Sequence, residues 1–486
     1  MTYLNLFANT KRTPSTELDT TDDWKRLERF IILGSEEGPY YVAEPRATLQ
    51  SLHSVEACLR ADGLRVVRTV VEIANSGRAI GNLPSLQVLA LAATSTYAST
   101  LTNATALAAL PEVARTAADL CVFASLVDDI RGWGRGLRSA VANWYLSKPA
   151  SELAYQIMKD PVVEGWTHAD LLRLSHPKAD TPALNAVFQW AVEGALGHLA
   201  TADIRHGELR QVYAFEQVNK ATTDSEVVRW IEDERLTPEM IPAQWKQSPR
   251  VWEALLENLP YSAMVSHLGQ MTEVGLLGPH SAASALVVAR LMDRKRVANA
   301  KVHPVLLLSA WLAYRQAHGV SNILDALEDA FHASFDNIEP TARRVCLAVD
   351  SSAPLELAAA VAMAFVRSEN GAIVWGVNIN AKHSFAQVCQ TLSHEPRPAN
   401  AALALVEARE RAIAVDGFII LTGNAPLNAR RALQEYRQST GISAKLVIVA
   451  MNGIDGGALD AVGLGQLTIV GFDASVPSVI AEFLRS

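Results

Sequence analysis

Alanine and leucine recur at roughly helical, 3.6-residue spacing through most of the chain, broken by short turns at Gly, Pro or Asn. The stretches "LPSLQVLALAATSTYAS", "ALNAVFQWAVEGALGHLA", "SPRVWEALLENLP" and "HPVLLLSAWLAYRQAHG" all carry this pattern. Many short helices joined by tight turns predict helix pairs stacked as a solenoid. No strict repeat length accompanies them, so residues 24–338 are expected to form an irregular array related to HEAT repeats. A compact helical bundle is the alternative. At Glu339-Pro340 the period changes. "RRVCLAVD", "GAIVWGV", "DGFIILTG", "SAKLVIVAMN" and "LGQLTIVGF" are short apolar, β-rich runs separated by helical segments such as "LELAAAVAMAFVRS" and "APLNARRALQEYRQS". Continuous apolar strands alternating with helices predict a parallel sheet covered on both faces, a doubly wound α/β domain over 341–486. Ligands of such folds bind at the carboxyl ends of the strands, where Asp350 and the Thr422–Asn424 turn fall. Residues 1–23 are polar and predict an N-terminal tail.

The segment from Arg131 to Lys178 has the most distinctive polar pattern. It begins "RGWGRGLRSAVANWY" and ends "GWTHADLLRLSHPK". On a continuous helix Arg131, Arg135, Arg138 and Tyr145 would share one face, opposite Leu137, Ala140, Val141 and Trp144. Thr167 with Asp170 three residues on is a capping-box pattern, and Trp166 is placed to staple onto Leu171. Arg173 and His176 are expected to share a face, with Pro177 stopping the helix. Trp144 and Trp166 fall at positions the periodicity assigns to packing, so both are expected in the core. Two capped helices that bury leucines and turn basic groups outward could hold a phosphate backbone in register. A solvated charged face is the plainer alternative.

Charge narrows the choice. The chain carries 43 Lys and Arg against 51 Asp and Glu, a formal net charge of −8. Residues 131–178 hold seven basic and four acidic residues, so this segment is positive within a negative chain. The overall field repels nucleic acid, and any polyanion binding must be local and shape-dependent.

Chemistry of other kinds finds little support. The four cysteines, Cys58, Cys121, Cys346 and Cys389, are far apart, with neither a CxxC pair nor a histidine spaced to complete a zinc site, and are expected as reduced, buried thiols. The N-terminal stretch lacks a basic leader with an apolar run, and the strongest apolar run, "PVLLLSAWLAY", falls short of a membrane span. A soluble cytoplasmic protein without membrane contact is expected. There is no HExxH, Walker A loop or GxSxG elbow. "GWGRG" sits among helices without the preceding strand of a dinucleotide fingerprint, so it reads as turn chemistry. No enzyme activity and no cofactor are expected.

Six segments, in order, resemble the Ro/TROVE proteins: "LERFIILGSEEGPYYV", "GWGRGLRSAVANWY", "GWTHADLLRLSHPK", "AKVHPVLLLSAWLAYRQAHG", "IEPTARRVCLAVD" and "GFDASVPSVIAEF". The likeness covers nearly the whole chain. It implies a closed ring of HEAT-like helices joined to a von Willebrand factor A domain. It also implies RNA binding, with single-stranded 3′ ends of noncoding RNA in a central hole and a small structured RNA of the Y type on the outer basic surface. Lys159 and His176 match the family's outer-surface RNA contacts, whereas Val163 stands where many relatives carry a basic residue. Arg135, Arg138 and Arg173 lie in the matching motifs. With Arg131 and Lys178 these form the candidate RNA-binding set. A partner exoribonuclease of the polynucleotide phosphorylase type is implied for bacterial relatives.

A von Willebrand A domain usually holds a divalent cation on a D-x-S-x-S turn completed by a distant threonine and aspartate, because such a hard ion needs several oxygens. Here the turn reads "DSSAP": Asp350 and Ser352 fit, but Pro354 replaces the second serine, Gly423 replaces the aspartate and Ala399 aligns with the threonine. The metal site is expected to be degenerate, with Asp350 and Ser352 acting as turn caps. That loss, with Val163, leaves a second reading: a protein-interaction scaffold that has lost metal and much of its RNA binding.

Overall fold

The computed structural model describes residues 20–34, 40–42, 52–79, 81–194, 207, 209–395, 397–423, 429–452, 465–473 and 475–485. Two compact units divide the chain. One comprises residues 1–36 and 46–259, the other residues 37–45 and 260–486.

The first unit is helical. Its elements include α1 (Thr20–Leu33), α2 (His53–Ser76), α3 (Leu83–Thr94), α4 (Thr100–Ala108), α5 (Leu110–Val113), α6 (Ala117–Arg131), α7 (Arg135–Leu146), α8 (Ala150–Lys159), α9 (His168–Ser175) and α10 (Pro182–Glu193). Helices Arg210–Lys220, Asp224–Glu234 and Pro249–Asn258 follow. Successive helices pack on one another, α1 on α2, α2 on α3 and α9 on α10, as stacked helix pairs must to bury apolar stripes. Leu27, Phe30, Ile31, Leu86, Leu89, Phe123 and Trp144 are fully buried in this way. The helix expected through "STYAS" stops at Thr94, because Ser95 turns extended and Ser99 instead caps α4 through the Thr102 amide. The helix α1 starts at Thr20, within the segment expected to be a tail, and the rest of that segment lies outside the described residues.

The second unit carries a parallel sheet. Its strands are β1 (Tyr40–Tyr41), β4 (Val345–Val349), β5 (Ile373–Val374), β6 (Gly417–Thr422), β7 (Lys445–Ala450) and β8 (Gln466–Val470); a separate hairpin in the first unit supplies β2 (Val162–Val163) and β3 (Trp166–Thr167). The sheet order is β1-β8-β7-β6-β4-β5, every neighbour parallel. Five strands come from the segment where sequence placed them. The sixth, β1, comes from far upstream, pairing Tyr40 with Ile469. The central strands are buried along their length because helices cover both faces. On one face Cys346, Ala348, Phe418, Ile420, Leu446 and Ile448 pack with Leu405, Leu433 and Tyr436 from helices Leu403–Glu410 and Ala429–Thr440.

Compactness and periodicity divide the chain at different places. The helices from Pro260 to Ala333 cluster with the sheet although their sequence pattern continues the helical array. Helix Pro304–Gln316 packs on helix Leu355–Ser368, with Arg315 3.0 Å from Glu356. Phe331 meets Phe385 edge-on at 5.5 Å between ring centres. No helix among the described residues is long and apolar enough to cross a membrane. All four cysteines are free thiols; Cys58, Cys121 and Cys346 are buried, but Cys389 is only half-buried, against the expectation of a buried thiol.

The position of α7 rests on one buried tryptophan. Trp144 is fully buried and its indole Nε1 donates to the Ala114 carbonyl at 2.5 Å. Ala114 is buried too, so no water can replace that donor. Trp144→Phe is therefore expected to lower stability by about 1–3 kcal/mol, the cost of an unsatisfied buried acceptor plus poorer packing, measured by urea denaturation.

Candidate nucleic-acid interface

Helices α6 to α9 pack together in the first unit: α6 touches α7 and α8, and α7 touches α9. Their buried faces are built as the periodicity required, with Leu137, Ala140, Val141 and Trp144 of α7 and Leu171 and Leu172 of α9 in the core. The capping box at Thr167 is present. Thr167 Oγ1 accepts from the Asp170 amide at 3.1 Å, and Asp170 accepts from the Thr167 amide at 3.2 Å.

Arg131, Arg135, Arg138, Lys159, Arg173, His176 and Lys178 are all at least partly exposed. None forms an ion pair with a described residue. Four of the seven occupy places that the helical-face argument did not assign. Arg131 ends α6, and Gly132 to Gly134 separate it from α7, so Arg131 and Arg135 are not on one helix. The break has a physical cause: Gly132 adopts φ 80°, ψ 173°, a conformation open essentially only to glycine. His176 is not on the helical face of Arg173. It is the residue that ends α9, in the left-handed conformation at φ 49°, its amide bonded to the Leu172 carbonyl at 2.9 Å. Lys159 is the last residue of α8, and Lys178 follows α9 in a loop. Arg173 has one carbonyl partner: its Nη2 donates to the Val192 carbonyl, in the last turn of α10, at 3.1 Å. A guanidinium has five N–H donors, so this bond leaves others for a ligand.

Tyr145 was expected on the basic face and is instead fully buried. Its hydroxyl lies 2.8 Å from His168 Nδ1, joining α7 to α9. Burial pushes the His168 imidazole down to about 4, partly offset by the Asp160 backbone. Trp166 also departs from expectation. It is half-buried in β3 and stacks on Trp133, with ring centres 5.4 Å apart. The sequence reading missed Trp133 as a site residue, although the two Gly-Trp pairs in "GWGRG" and "GWTH" were the available signal. Val163 is half-buried and pairs with Trp166 across the hairpin, so no cation stands at that position.

Acidic groups bound the patch. The Asp129 carboxyl is raised above its ordinary value, first by burial and then by Asp128 and Glu164. These carboxylates would repel a phosphate, and Asp128 and Asp129 lie on α6 within one turn of Arg131.

In the second unit, the turn after β4 fits its sequence reading as a capped turn. Asp350 Oδ1 accepts from the Ser352 amide at 2.8 Å, the Ser352 hydroxyl at 2.6 Å and the Ala353 amide at 3.1 Å. Ser352 Oγ in turn accepts from the Gly423 amide at 2.7 Å. Arg397, which sequence reasoning passed over, donates to the Asp350 and Ala353 carbonyls at 3.1 and 3.0 Å. An aspartate at Gly423 has no room, since its Cβ would meet the Ser352 carbonyl oxygen at 2.6 Å. One carboxylate and one committed hydroxyl do not make the oxygen cage of a divalent ion, so these residues do not fit a resident metal. The neighbouring Asn424 lies outside the described residues.

A dedicated cation site held at one hundred times its Kd would add about 2.7 kcal/mol to stability. Here millimolar magnesium, manganese or chelator is expected to leave Tm unchanged in differential scanning fluorimetry, and a rise with magnesium would contradict the geometry. Because the folded-state pKa of His168 lies below the unfolded value, its stabilising contribution is complete above about pH 6.5 and is lost as pH falls toward about 4. His303 is pushed down by burial to the same value. The test is therefore a difference: His168→Gln should show a smaller loss of stability between pH 6.5 and 4 than the unchanged chain.

The comparisons with known proteins agree with this architecture. The TROVE domain family matches residues 12–227 and 232–319, and the Ro60 vWA domain matches residues 343–484. The chain is 29% identical to the RNA-binding protein RO60 of Deinococcus radiodurans, over 96% of this chain and 93% of that protein. It is 27% identical to the RNA-binding protein RO60 of Caenorhabditis elegans, over 95% of this chain and 88% of the relative. The crystal structure of the Deinococcus radiodurans RO (RSR) protein superposes with a TM-score of 0.87 at 29% identity, covering 95% of this chain and 99% of that one. A helical TROVE domain followed by a von Willebrand factor A domain places this chain in the Ro/TROVE family.

Proposed function

We propose that the chain binds RNA through the basic surface of α6 to α9. The observation that carries this reading is the display of seven basic or histidine side chains, none ion-paired among the described residues, on packed helices of a chain whose net charge is −8. A protein under no demand for anion binding would be expected to pair more of these cations with its surplus of carboxylates. The names of the two RO60 relatives support the same reading. The family resemblance extends it: a small structured noncoding RNA occupies this surface, and single-stranded 3′ ends enter a central opening. The protein would then serve RNA quality control in the cytoplasm, or present RNA to an exoribonuclease of the polynucleotide phosphorylase type. A chain with this surface needs no catalytic group of its own.

Val163 favours a weaker grip, since the hairpin offers no cation to a phosphate there. If the other basic positions also failed to hold RNA, the scaffold reading would take over. Fluorescence anisotropy with a labelled RNA hairpin tests both. Wild type should bind with strong salt dependence. Arg135→Glu with Arg138→Glu should bind far more weakly, with the slope of log K against log salt reduced by roughly one for each phosphate no longer neutralised and Tm nearly unchanged. Equal binding by the double variant would remove this surface from the function.

A further inference from the structure

Two tryptophans meet beside the arginines. Trp133 lies in the turn between α6 and α7 and Trp166 in β3, their rings tilted by 32° at 5.4 Å. Both are half-buried, unlike the core residues Trp144 and Trp252, which are fully buried and donate their indole N–H to carbonyls. The Trp133 indole N–H has no partner among the described residues. That nitrogen is itself buried, as is the equally unpartnered indole nitrogen of Trp245, so it is the exposed part of the ring, and not its donor, that a ligand would meet.

The backbone around the pair is bare. A Cβ added at Gly132, Gly134 or Gly165 would meet nothing within 4 Å, so the chain next to each tryptophan is uncrowded at its glycines. Charge selects the chemistry of a flat ligand that meets the exposed part of the pair. Arg131 and Arg135 sit two residues to either side of Trp133, both exposed and without an ion pair to a described residue. Asp128 and Asp129 lie on α6 itself within one turn of Arg131, and Glu164 lies in the hairpin that α6 touches; their mutual influence is seen in the raised Asp129 carboxyl. Carboxylates reject phosphate but accept hydrogen bonds from exocyclic amino groups of bases. Arginines beside the rings suit the phosphates flanking a stacked base, and the nearby carboxylates suit its amino groups.

We propose that Trp133 and Trp166 form a stacking platform for an unpaired base of bound RNA, whose flanking phosphates engage Arg131 and Arg135. The platform rests on the RNA-binding reading above and adds to it a subsite for a single-stranded nucleotide. Stacking tolerates any base because every base has a π-face, so the platform recognises unpaired RNA without reading its sequence.

Two fluorescein-labelled probes test it with the full chain: a blunt RNA hairpin and the same hairpin with an unpaired 3′ tail of about ten nucleotides, within the span of single-strand sites. Trp133→Ala is expected to weaken binding of the tailed RNA roughly 5- to 150-fold, the range for one base–aromatic stack. Its affinity for the blunt hairpin and its salt slope should stay as in wild type, because no counterion is involved. Trp133→Phe should retain most of the affinity. Should Trp133→Ala not fold, Trp133→Leu keeps apolar bulk without a π-face and is read the same way. If the tryptophan variants bind both probes like wild type while the Arg135/Arg138 double reversal has lost binding, the platform is wrong and the basic surface stands. If the double reversal also binds like wild type, the RNA reading fails and takes the platform with it. Equal loss on both probes would assign the tryptophans a structural role and overturn the proposal.

Discussion

The basic surface exists because two adjacent side chains of α7 are anchored in the core. Trp144 reaches back to the Ala114 carbonyl, and Tyr145 reaches across to His168 at the start of α9. With Trp144 fixed inward, a helix of 3.6 residues per turn turns Arg135, nine residues earlier, to the opposite, solvent side, while Arg138, seven residues before Tyr145, lies on the tyrosine's own side and is exposed two turns away from it. The exposure of Arg135 thus follows from the buried tryptophan. Removing an arginine changes the field at that point, whereas removing an anchor reorients the helix and every charge it carries.

Much of this was legible in the sequence, and the misses have distinct physical causes. The five downstream strands and helix Leu355–Ser368 were marked by period and apolar run length, which tertiary context did not override. The Thr167 capping box was legible because it is a local contract between two side chains and two amides. Arg131 was misplaced because the helical-face count ran through Gly132, whose positive φ ends the helix; the three glycines of "GWGRG" carried that warning. Tyr145 was misread because its amphipathic ring suits either environment, and only the histidine 23 residues onward decides the matter. The two-residue strands β1 to β3 had no such signal, whereas the equally short β5 was marked by the apolar run "GAIVWGV" around it.

The turn at Asp350 shows how a metal-type loop keeps its shape without oxygen ligands to spare. Its carboxylate collects three protein donors, the serine hydroxyl bridges to Gly423, and Arg397 secures two carbonyls from outside. Each of these bonds is internal to the chain. The loop is therefore held by the chain's own donors and acceptors, with the Arg397 guanidinium set against its backbone carbonyls.

The two-residue strand β1 gives the molecule an unusual covalent arrangement. Residues 37–45 belong with the sheet, yet the chain before and after them belongs to the helical unit. Tyr40 and Tyr41 complete the sheet beside β8, and Val42 donates to the Val470 carbonyl at 3.0 Å. A fragment starting at residue 341 would lack this strand, leaving β8 as a bare edge open to pairing with other copies. The polypeptide is stitched so that ribosomal synthesis delivers one border of the sheet long before its centre, and that border must wait for the last strand to be made before it has a partner.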